Sequence, residues 1–144
     1  MSAMSDFLEN KLIDQLFRGQ TAPTTSTLHI GLLTAAPSDS GGGTEVSGGS
    51  YARASVTSSL ANWAGTQTAG STAASSGTGG QTSNNAPITF ATPTASWGTV
   101  THFGIYDAAT GGNLLFWGAL TISKTINEAD AVTFPAASLA ITFA

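Results

Sequence analysis

The sequence predicts a mainly β protein: an antiparallel β-sandwich of about seven or eight short strands with one N-terminal α-helix. Three observations carry this. Short apolar runs recur between clusters of Gly, Ser, Asn, Asp and Pro, the pattern of close-spaced strands and turns. Only residues 5–19 have helical periodicity. The stretch 95–121 reads as a tryptophan-bearing hairpin, two strands about the turn Asp107-Ala-Ala-Thr-Gly-Gly112.

The helix comes first. Asp6 is the expected cap, with Glu9 three residues on, a capping-box-like pattern. Leu8, Leu12 and Leu16 repeat every fourth residue, and Ile13 and Phe17 widen the apolar face. Arg18 suits the negative end of the helix dipole, and Gly19 suits a left-handed stop. About four turns of helix are marginal in isolation. This one must therefore pack, either on its own sheet or on a neighbouring subunit.

A short connection at 21–25 leads to the strand Thr27–Leu33, with Leu28, Ile30 and Leu32 inward. Residues 36–49 are loop. A second strand falls at 51–60, with Ala52, Ala54 and Val56 on one face and Tyr51, Arg53 and Ser55 on the other. Trp63 follows. Residues 65–85 contain no large apolar side chain, so they cannot offset their ordering entropy by burial. They read as a flexible polar loop: an arm to a neighbour, a loop tip or a plain insertion.

Ala86–Ala91 is a short strand with Ile88 and Phe90 inward and Pro87 at its start. In the hairpin, Trp97, Thr99, Thr101, Phe103 and Ile105 share one face, as do Leu114, Phe116, Gly118 and Leu120. Two of the three tryptophans lie here. A buried aromatic removes roughly 150–250 Å² from water, so the core is expected to centre on this ribbon. Residues 122–126 extend the second strand, 127–130 turn, and 131–134 and 138–143 supply the last strands around Pro135. The 144 residues suit one domain, 1–144.

Charge is scarce. Only 8% of residues are charged, against about 25% in a typical soluble domain. A surface so poor in charge lacks the repulsion that keeps monomers apart, and charge depletion is the mark of interface cores. Net charge is −4, and the four basic residues, Lys11, Arg18, Arg53 and Lys124, are scattered. That argues against nucleic acid, which requires clustered cations. No apolar run is long enough for a membrane helix, and no signal peptide is expected. The absence of cysteine excludes disulfides and thiolate chemistry.

No site chemistry assembles from the motifs: no catalytic, cofactor-binding or metal-binding residue is predicted. His29 and His102 each sit mid-strand, facing away from the large apolar residues, with no third ligand at metal-site spacing. Glu128 and Asp130 share a turn but not a calcium-loop pattern. No serine lies in a nucleophile elbow. No cofactor and no enzymatic activity are expected. Tyr51, Trp63 and Tyr106 would offer a sugar-stacking surface if exposed.

The helix 5–19, Leu-His-Ile-Gly-Leu at 28–32, Gly-Ser-Tyr-Ala-Arg at 49–53, Asn-Asn-Ala-Pro-Ile-Thr-Phe at 84–90, and Ser-Trp-Gly-Thr-Val-Thr-His-Phe-Gly-Ile-Tyr-Asp at 96–107 with Gly-Asn-Leu-Leu-Phe-Trp-Gly-Ala-Leu at 112–120 together resemble small tail-fibre-type structural proteins of bacteriophages and prophages. Capsid-decorating or cement proteins are the related possibility. The resemblance implies a virion subunit, made in the bacterial cytoplasm, that contacts other virion proteins and copies of itself, a homotrimer in the fibre-like or cement case. The alternative reading is a module that binds host-surface carbohydrate or receptor. With no long fibrous repeat, a small adaptor or decoration subunit is expected rather than a self-standing fibre.

Overall fold

The structure is a computed structural model and describes residues 2–22 and 25–143. Pro23 and Thr24, in the expected connection, lie outside the described residues. The fold is mainly β, with antiparallel sheets, one helix and ten strands among the described residues. The strands are β1 (Ser2–Met4), β2 (Thr27–Ala35), β3 (Thr44–Glu45), β4 (Ala54–Thr57), β5 (Gln81–Ser83), β6 (Ile88–Thr89), β7 (Gly98–Tyr106), β8 (Leu114–Ile126), β9 (Thr133–Phe134) and β10 (Ala140–Thr142), and the helix α1 is Asp6–Arg18.

One six-stranded sheet forms the larger layer, ordered β1-β8-β7-β2-β3, with β4 sharing the same edge of β2 as β3. Two ribbons, β5–β10 and β6–β9, form the second layer. Ile30, Leu32, Val100, Phe103, Ile105, Leu115 and Phe116 of the sheet meet Ile88, Phe90, Leu139 and Ile141 from the ribbons. This is the sandwich that alternating apolar strands demand: each layer buries one face against the other.

The 95–121 hairpin is β7 and β8, and its Phe103, Phe116 and Trp97 are core residues. Two details differ from strict alternation. Val100 pairs with Lys124 but His102 pairs with Ala119, so β8 carries three extra residues across from Thr101. Across this irregularity the inward phase of β7 changes: Phe103 and Ile105 are buried on one side of it, and on the other Val100 is buried and Thr99 exposed. A second shift makes Leu115 the unpaired residue between Phe116 and Leu114, and all three are buried. Trp117 does not join the core. It lies half-buried on the outer face, where its Nε1–H donates to Asp39 Oδ1 (3.2 Å).

The helix is where periodicity placed it, but Ser5, not Asp6, is its cap. Ser5 Oγ accepts from Leu8 N–H (3.3 Å) and donates to the Leu114 carbonyl. Ser5 N–H in turn bonds Leu115 O (2.9 Å), so the cap fixes the helix start to β8. Gly19 closes the helix with φ 67°, in the left-handed region.

Within 65–85 the structure departs from a featureless loop. Gln81–Ser83 is strand β5, and Asn84 is buried. The Asn84 side chain donates to Ala86 O and Pro135 O (both 2.8 Å) and accepts from Leu139 N–H (2.9 Å). One amide thereby ties 84–86 to 135–139. Earlier in the segment, Gly65 N–H bonds Ser71 O and Thr66 Oγ1 bonds Ser76 O.

Candidate interaction surface

The outer face of the main sheet carries one organised polar cluster. Arg53 makes a two-pronged pair with Glu45: Nε to Oε1 at 2.8 Å and Nη2 to Oε2 at 2.7 Å. Its Nη1 donates to Ala108 O and Gly111 O, both at 2.8 Å. The β7–β8 turn is thus held by a cation from a different strand region. Tyr51 O–H donates to the same Glu45 Oε1 (2.8 Å) and accepts from Leu32 N–H (2.9 Å). The Arg53 guanidinium sits 3.4 Å from the Tyr106 ring centroid. Gly31 and Gly104 make room for this ring: a Cβ would lie 3.0 Å and 2.7 Å from Tyr106 Cε2.

Burial pushes the Tyr51 hydroxyl well above the usual phenol range, the Leu32 amide opposes this, and Glu45 adds to it. Burial and the Glu45 charge raise Tyr106 likewise, against the opposing charge of Arg53. For Arg53, desolvation pulls downward, but the Glu45 hydrogen bond and charge outweigh it and the net shift is upward. The cluster is therefore saturated with its own partners.

This decides the fate of the three rings considered for sugar stacking. Tyr51 packs edge-on to Trp97 (5.2 Å) and stacks with Phe90 (6.5 Å). Tyr106 is buried beneath Arg53. Trp63 is half-buried against the core, and its Nε1 is buried with no hydrogen-bond partner among the described residues. The structure does not gather them into one exposed platform.

His29 and His102 both lie on the outer face, as expected. His29 Nδ1 is 3.0 Å from Ser55 Oγ, and His102 Nδ1 is 2.7 Å from Thr101 Oγ1. Glu128 and Asp130 do not converge: Asp130 accepts from Asn127 N–H (2.8 Å), closing the turn on itself. Among the described residues no three acidic or histidine side chains form a group able to hold a metal.

Besides an apolar patch at Leu60 and Phe143, two apolar features remain uncovered among the described residues. The first is α1, which has no buried residue. Phe7 and Leu8 touch the core, but Ile13, Leu16 and Phe17 are 51%, 71% and 81% exposed. The second is a groove of about 780 Å³ between β8 and the 130–140 segment. Its floor includes Leu32, Val100, Phe103 and Leu139, and its walls include Leu120, Val132 and Phe134. On its rim Ile122 is 80% exposed. The β8 edge beside it, beyond Gly118, has no ladder partner among the described residues.

A family model described as Podophage GP4 fiber I protein gp80 matches residues 3–142. The chain belongs to this family. Comparison with curated proteins found no match. Membership makes the protein a phage fibre-type structural protein associated with the virion. A fibre protein works by contact with other virion proteins. For this fibre-family chain, the uncovered helix face and groove are the features suited to contact, whereas the Glu45–Arg53 cluster serves the fold. The helix face was legible in the sequence as a wide apolar stripe. The groove was not, because it forms only where β8 meets the distant segment 130–140.

Proposed function

We propose that residues 1–144 act as one domain, a small non-enzymatic fibre-type subunit that assembles with copies of itself and with other virion proteins. A homotrimer is the stoichiometry we expect, and assembly follows synthesis in the host cytoplasm. The observation that carries this reading is α1. Three large apolar side chains on a four-turn helix stand in solvent, although such a helix gains stability chiefly by packing. Contiguous exposed apolar patches larger than a few hundred Å² mark protein contacts. The scarcity of charge supports the same reading.

Gold-labelled antibody against the chain tests the placement. Label on the fibres of intact virions is expected. Label on the capsid alone would move the subunit to a decorating role, and virions without label would remove the reading. Sedimentation velocity on the purified chain tests the assembly: an oligomer is expected, and a monomer at every concentration contradicts it. The carbohydrate-binding alternative has lost its candidate platform; binding on a glycan array would reinstate it.

A further inference from the structure

We draw no further inference here: the strongest candidate, the apolar face that Ile13, Leu16 and Phe17 present on the outer side of α1, belongs to the surface already described, and nothing in the structure shows what covers it.

Discussion

The Arg53 guanidinium lies face-on to the Tyr106 ring, 3.4 Å from its centroid, while its nitrogens are spent on Glu45 and on the β7–β8 turn. The side chain is only 7% exposed. Such a cation is held by geometry, and a planar fork is needed to bind the carboxylate and turn carbonyls together while stacking on the ring. Arg53→Ala leaves Glu45 unpaired and two carbonyls without donors. We expect a loss of about 3 kcal/mol, read from urea unfolding. Arg53→Lys keeps the charge but loses the two-pronged pair, and should recover less than half of that.

Alkaline titration reports on the same cluster. Both tyrosines of the chain, Tyr51 and Tyr106, have hydroxyls raised above the ordinary value of about 10. The unfolded chain therefore loses these protons first. Above pH ~10 the unfolded state binds fewer protons than the native state, so stability falls as pH rises. The contribution is intact below that pH and is lost towards the folded-state values. Phenolate absorbance should stay flat past pH ~10 and then rise together with unfolding. Two tyrosines titrating normally in a folded chain would contradict the buried cluster.

Asn84 is the second place where one side chain joins distant segments. Asn84→Ala removes three hydrogen bonds and strands the Leu139 N–H in the core. The expected cost is about 2–4 kcal/mol, visible as a lowered midpoint in chemical unfolding. Hydrogen exchange at Leu139 and its neighbours should accelerate beyond the global change. Unchanged exchange there would separate Asn84 from the packing of β10.

These residues explain what the sequence could and could not convey. Local signals were readable. Leucines at every fourth position and a following glycine gave α1, and alternation gave β2, β6 and the hairpin. Non-local pairing was not readable. Arg53 finds carbonyls 55 and 58 residues away, and nothing in its neighbourhood announces them. Asn84 sits in a polar run that looked featureless, yet its amide has partners only once β5 and β10 pair. Ser5 outcompeted Asp6 as the cap because its hydroxyl also reaches the Leu114 carbonyl. The change of inward phase at Val100 falls at the irregularity between β7 and β8, which no two-residue period reveals. The helix face was readable as apolar, but its exposure was a matter of tertiary structure.

On the proposed reading, this exposed face serves assembly and is not needed by the fold. Leu16→Ser with Phe17→Ser removes two side chains that stand 71% and 81% in solvent. Light scattering coupled to size exclusion, with a thermal melt of the sheet signal on the same samples, measures both halves of the claim. We expect an oligomer for the native chain, a mass of one chain for the variant at the same concentration, and a variant monomer that still melts cooperatively as a folded β protein. A native monomer, or a variant that keeps the native mass, would contradict it.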